Sequence, residues 1–301
     1  MKSSSGVGRW SSPVGAERRI PGWAQGLVAA LSRDEPRVVT REDIGDLLAD
    51  AGSMRTVDET IAELRRLGWL VRLGIAGTWT FIPPGQAEVV DTYLDLRAWE
   101  RAASADFHLC GANAAWFLGY LDRAPDSKVQ VLLPAGTVLP KGLRASASAV
   151  RLPWSPDPAL LRPTQRFLVE RRLDLVRWSD GLPCIGPEAL VAQVSLRPAS
   201  FEPWDDLVAH LARLVDDTDD DRLTQLLQGC SAAAWQRAAY LLHAGGAPAR
   251  GIALLDAAPF ERWPVTAFAV GTATNGNSLW VPQYELVDRL IFSTQGQLGK
   301  A

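Results

Sequence analysis

Two stretches near the start of the chain repeat their apolar residues at helical spacing. Ile44, Leu47, Leu48 and Ala51 form one stripe, and Val57, Ile61, Leu64 and Leu67 form the next. A spacing of three and four residues puts each set on one helix face. Each stripe follows a capping signature, Thr40 with Asp43 and Thr56 with Glu59. There the hydroxyl accepts from a free backbone N–H and the carboxylate reaches back. Gly52 and Gly68 end the two runs, and only Gly52-Ser53-Met54-Arg55 links them. A helix is predicted before them over 18–32, carrying Ile20, Trp23, Leu27, Val28 and Leu31, with a turn at Asp34-Glu35-Pro36. After them the pattern becomes strand-like. Trp69–Leu73 and Thr78–Ile82 flank Gly74-Ile75-Ala76-Gly77, which predicts a tight hairpin closed off by Pro83-Pro84-Gly85.

Helix, helix, tight turn, helix and hairpin make a winged helix-turn-helix, whose second paired helix enters the DNA major groove. With Val57, Ile61 and Leu64 inward, steps of about 100° turn Arg55, Glu59, Ala62 and Arg66 outward. The candidate DNA-binding residues are therefore Arg55 and Arg66, Thr56 at the helix start, and Ala62, small enough for close approach. Arg72 on the hairpin, with Arg18, Arg19 and Arg41, would hold the phosphate backbone. A competing reading makes the module a protein contact. Residues 1–90 hold eleven Arg and Lys against eleven Asp and Glu, and the hairpin tip has no charge. Arg55 and Glu59 then form only an i,i+4 pair. Because phosphate contacts dominate affinity, a neutral module on DNA calls for self-association or a second basic surface.

Residues 1–17, Ser- and Gly-rich, read as a flexible arm. The winged helix spans 18–86, a helix over 85–103 connects onward (87–103 as the linker between domains), and 104–301 form a larger domain. In that domain, strands are predicted at 107–110, 129–134, 147–152, 167–176, 182–186, 266–270 and 279–286. Helices are predicted at 111–119 and 187–196, with three more between Trp204 and Ala244. Strands interrupted by helices without a regular alternation give an α+β class. Asp216–Asp221 reads as an interhelical loop ending in an N-cap.

The 301 residues suit two domains. No apolar run approaches the ~18 residues of a membrane span. The opening residues lack a secretory core, and three separated cysteines without a CxxC suggest reduced thiols, so a cytoplasmic protein is expected. No phosphate-binding glycine loop or metal-spaced histidine pair occurs. His108, His210 and His243 lie far apart, and the His108–Cys110 pair has no orienting carboxylate nearby. The expectation is a protein that is no enzyme and takes no cofactor or metal. Charge is uneven, however. Residues 141–177 carry eight Lys and Arg against three acids. Arg162, Arg166, Arg171 and Arg172 are a candidate second basic surface, or else arginines guarding strand edges.

The segments REDIGDLLADAG, TVDETIAELRRLGWLVRL, FHLCGANAAWFLGYL, LPCIGPEALVAQV and WQRAAYLLHAGG occur in this order. In order and apolar pattern the chain resembles the AbiEi-type antitoxins of type IV toxin–antitoxin systems, and within them a mycobacterial winged-helix member. The resemblance implies a repressor of its own promoter, with double-stranded DNA as partner. It also implies a C-terminal domain that counteracts a nucleotidyltransferase toxin. It offers no catalytic residues. A winged helix that contacts protein, or a ligand-sensing regulator without antitoxin activity, are the alternatives.

Overall fold

The computed structural model describes residues 9–13, 18–133, 137–150, 171–173 (backbone), 181–269 and 278–291. It divides into two compact units. The first takes in Met1–Asp106, Asp126–Val129 and Val138–Ser148, and the second Phe107–Pro125, Gln130–Thr137 and Ala149–Ala301.

In the first unit Pro21, which lacks an N–H, delays the first helix. A short 3-10 turn at Gly22–Ala24 leads into α1 (Gln25–Asp34), later than the start expected at residue 18. Strand β2 (Val39–Thr40) follows, too short to leave a periodic signal. Both capping boxes form, Thr40 opening α2 (Arg41–Asp50) and Thr56 opening α3 (Val57–Arg66). Strands β3 (Leu70–Arg72) and β4 (Thr78–Phe81) make the hairpin, and β4 is the middle strand of a sheet ordered β2-β4-β3. Trp79 stands opposite Val39 on one side and Arg72 on the other. Ile44, Ile61, Leu64, Trp69 and Phe81 share one core, with the Trp69 and Phe81 rings stacked 6.1 Å apart. This element order is the one expected of a winged helix.

Two elements differ from expectation. Within the supposed arm, Arg9–Ser11 is strand β1, paired antiparallel with β5 (Glu88–Val90), Trp10 opposite Val89. The region read as one helix over 85–103 is thus a strand followed by α4 (Leu94–Ala103). The Val89-Val90 pair suits a strand, and Asp91 accepts the Tyr93 N–H at 2.9 Å at the change of direction. Helix α4 packs under the hairpin rather than merely linking. Leu94 and Ala98 meet Leu73, Ile82 and Val89 in a second core, and Arg101 reaches the Val38 carbonyl at 3.0 Å.

The second unit is mixed α+β. Strands β6 (His108–Leu109), β7 (Val129–Leu132), β8 (Ala147–Val150), β9 (Arg171–Leu173) and β10 (Leu182–Cys184) form a sheet ordered β8-β7-β6-β10-β9, of which Val129 and Ala147–Ser148 are counted with the first unit. β6 and β10 run parallel, with Leu109 opposite Cys184. Helix α5 (Gly111–Phe117) follows β6, and α6 (Pro187–Leu196) follows β10. Every residue of α6 from Pro187 to Ser195 is buried, as a helix apolar on all sides requires. The stretch expected as three helices holds four, α7 (Trp204–Ala209), α8 (Leu211–Asp216), α9 (Asp220–Leu227) and α10 (Ala232–Ala244), since the chain leaves helical geometry at His210. Asp219 caps α9 by accepting the Arg222 N–H at 2.8 Å, as read from the acidic run. After α11 (Pro248–Asp256) come β11 (Thr266–Phe268), β12 (Leu279–Val281) and β13 (Leu286–Asp288), ordered β11-β13-β12. The run expected as one strand over 279–286 breaks at Pro282, whose 3-10 turn separates β12 from β13. Among the described residues no helix is long and apolar enough to cross a membrane.

Candidate nucleic-acid interface

Helix α3 buries Thr60, Ile61 and Leu64 and exposes the opposite face, as its pattern requires. Ala62, Arg65 and Arg66 stand on the exposed side. At its start the Glu59 carboxylate accepts from the Thr56 hydroxyl at 2.8 Å and the Thr56 N–H at 3.3 Å. The Thr56 hydroxyl bond, then the backbone bond, holds Glu59 below the usual carboxylate range. A fixed negative charge therefore sits at the helix N-terminus, where it complements the dipole but opposes an approaching phosphate.

The predicted contact residues divide by what they touch. Arg55 lies just before α3 with its guanidinium 4.0 Å from the centre of the Trp23 ring, a cation–π arrangement that orients it without neutralising it. Arg66 is gripped by Glu63, Nε to Oε2 at 3.0 Å and Nη2 to Oε1 at 2.7 Å. Arg41, at the start of α2, makes a two-pronged pair with Asp58 at the start of α3. Arg19 and Arg72 are exposed.

Arg18 has another role. Its guanidinium donates to the carbonyls of Gly68 at 2.8 Å, Pro83 at 2.5 Å and Gln86 at 2.9 Å, and lies 4.2 Å from the centre of the Trp69 ring. It fastens the chain before α1 to both ends of the hairpin region. Arg18 thus braces the fold through three backbone oxygens, a role that the sequence reading of a phosphate contact did not include.

Arg65, Arg66 and Arg72 converge with Ala62, Leu70, Val71 and Pro13 around an open depression of about 450 Å³. Arg65 was not among the predicted contacts. Its position three residues after Ala62 was the available signal. Among the described residues no ion pair holds Arg55, Arg65 or Arg72. These arginines keep their charge available to a ligand, whereas Arg41 and Arg66 would have to exchange a carboxylate for it.

Of the second basic surface, Arg162 and Arg166 lie outside the described residues, and Arg171 and Arg172 form the backbone of β9. The His108–Cys110 pair is buried, and burial pushes the Cys110 thiol well above its ordinary range, the opposite of an activated nucleophile. Around it runs a polar knot. The Gln193 side chain accepts the Gly111 N–H at 2.9 Å, and the Asn113 side chain accepts the Gln130 N–H at 2.9 Å. Gly111 has φ +58°, a left-handed backbone that favours glycine, and a Cβ there would displace the Gln130 side chain, whose Oε1 lies 1.7 Å from its position.

Residues 108–244 match the AbiEi antitoxin C-terminal domain. The crystal structure of RV2827C protein from Mycobacterium tuberculosis is 53% identical, with a TM-score of 0.81 over 97% of this chain and 100% of that one. No curated protein matches the chain. The chain belongs to the AbiEi antitoxin family, and on that footing is an antitoxin of a toxin–antitoxin system. That is not a family of enzymes.

Proposed function

We propose that the protein is a cytoplasmic, DNA-binding antitoxin that represses its own promoter and counteracts a partner toxin of the nucleotidyltransferase type. The observation that carries the DNA reading is the exposed side of α3, where Arg65, Arg66 and Arg72 surround an open depression and Arg55 is oriented on Trp23. Arginine is the side chain suited both to phosphate and to guanine edges. Ala62 leaves room for close approach between them. Arg19 and Arg41 are further phosphate contacts in this reading, Thr56 sets the helix start, and self-association on DNA adds contacts that one near-neutral module lacks. In this reading the first unit, with the winged helix of 18–86 and the 87–103 segment packed on it, is the DNA-binding part, the bulk of 104–301 is the antitoxin part, and Arg162, Arg166, Arg171 and Arg172 are a second basic surface.

The pairing of Arg41 with Asp58 and of Arg66 with Glu63 favours one rival, a winged helix that contacts protein. Two assays separate them. A mobility shift on the DNA upstream of the gene, at two salt concentrations, should give a sequence-specific, salt-sensitive shift. Co-expression with a partner nucleotidyltransferase toxin should relieve its toxicity. Relief without any specific shift at low salt would leave the rival and remove the repressor.

A further inference from the structure

The wing is usually the part of a winged helix that reaches the DNA backbone beside the reading helix. Here its tip, Gly74-Ile75-Ala76-Gly77, has no charge. It is also occupied by the protein itself. The Gly74 N–H donates to Asp95 Oδ1 at 2.8 Å. A Cβ on Gly142 would lie 1.9 Å from the Gly74 carbonyl oxygen, so the two backbones pass with no space for a side chain. The segment Val138–Ser148 thus sits on the wing tip within the same compact unit. It brings Lys141 and Arg144. Lys128 joins them from Asp126–Val129, its Nζ donating to the Arg144 carbonyl at 2.7 Å, while the Val129 N–H bonds the Ser146 carbonyl at 2.9 Å. All three cations are exposed. The acidic residue in these two segments is Asp126. Arg72, on the rim of the depression, is two residues from Gly74, about 7 Å along the strand.

We propose that this docked segment is a surrogate wing. Lys128, Lys141 and Arg144 contact duplex DNA through its phosphates, beside the bases faced by α3, and supply the charge that the tip lacks. The proposal rests on the DNA-binding reading above. It accounts for how a near-neutral winged helix gathers phosphate contacts: they come from chain well downstream, folded back into the first unit. Contacts of this kind carry no sequence information. The ammonium groups of Lys128 and Lys141 suit them as point charges, and the Arg144 guanidinium binds phosphate as well.

The test is a salt titration of binding to promoter and to scrambled duplex, with full-length wild type and the triple variant Lys128→Gln, Lys141→Gln, Arg144→Gln. Each phosphate contact adds about 0.9 to the log–log salt slope. The variant should bind both duplexes more weakly and keep the ratio between them. Its loss of affinity from about 50 to about 200 mM salt should be smaller than that of wild type by up to ~40-fold. Should the triple variant fail to fold by its melting transition, Lys141→Glu replaces it. The Lys141 side chain makes no hydrogen bond among the described residues, and its reversal should lower affinity for both duplexes alike. An unchanged slope and affinity, with wild type binding normally, overturns the surrogate wing and leaves the DNA reading standing. Wild type that binds neither duplex overturns both. Normal DNA binding with lost relief of toxicity overturns the proposal by assigning the cluster to the toxin.

Discussion

Both oxygens of Glu63 take hydrogen bonds from Arg66, one turn further along α3, at 2.7 and 3.0 Å. The Arg66 side-chain bond, ahead of its charge, holds the Glu63 carboxyl below its ordinary range, so the pair persists at neutral pH. On a helix surface such a pair adds only about 0.2–0.5 kcal/mol. Its larger effect is to withhold Arg66 from a ligand. Glu63→Ala should therefore tighten DNA binding with little change in stability. Titrations of both proteins at one salt concentration check this, and weaker binding by the variant would place Glu63 in a favourable contact.

Arg55 presents the opposite case, since Trp23 orients it without cancelling its charge. Arg55→Ala should weaken promoter binding by about 1–3 kcal/mol if the guanidinium forks onto a base, while binding to scrambled DNA changes less. Trp23→Ala should give part of that loss by freeing the side chain. The ratio of the two affinities is the quantity to measure.

Arg18 should behave as a stabilising residue. Three backbone carbonyls accept from it and Trp69 lies beneath it. Arg18→Met should lower stability by on the order of 2–3 kcal/mol in denaturant unfolding, with unchanged DNA affinity in the folded protein. A loss of affinity without a loss of stability would place Arg18 at the DNA interface.

Asp91 gives the first unit a pH signature. Its carboxyl is buried 3.8 Å from Arg97, and burial outweighs that neighbour, pushing it up to about 6 from 3.8. A carboxyl raised on folding contributes stability that is fully present below pH about 4 and is lost as pH rises through about 6. Over that window wild type should lose up to ~3 kcal/mol relative to Asp91→Asn, with little further change above it. Unfolding of both proteins at pH 4.5 and pH 7, each taken as about those values, measures the difference.

The parts of the fold that could be read from sequence are those whose local signals agree. Thr40 and Thr56 cap two amphipathic stripes, and Gly74–Gly77 joins two strand-like runs, so the winged-helix order and the outward set Arg55, Ala62 and Arg66 were legible. Pro187 at a helix start and the apolar run after it likewise marked α6. What was not legible depends on distant chain. β1 exists because Trp10 finds Val89 as a partner, and nothing local distinguishes Arg9–Ser11 from its Ser-rich surroundings. The role of Arg18 depends on three carbonyls from 68 to 86. The arrival of Gly142 at Gly74 joins positions far apart in sequence, where periodicity carries no information. Glu63 and Arg66, by contrast, were within reach as an i,i+3 pair.

The central claim is that α3 faces promoter DNA. The most direct check is fluorescence anisotropy of labelled promoter duplex, with scrambled duplex as competitor, for wild type and the double variant Arg55→Ala, Arg65→Ala. Wild type should prefer the promoter, and the double variant should lose most of that preference while its melting transition stays in place. Equal promoter preference in the two proteins would contradict the account, and some other surface would then read the DNA.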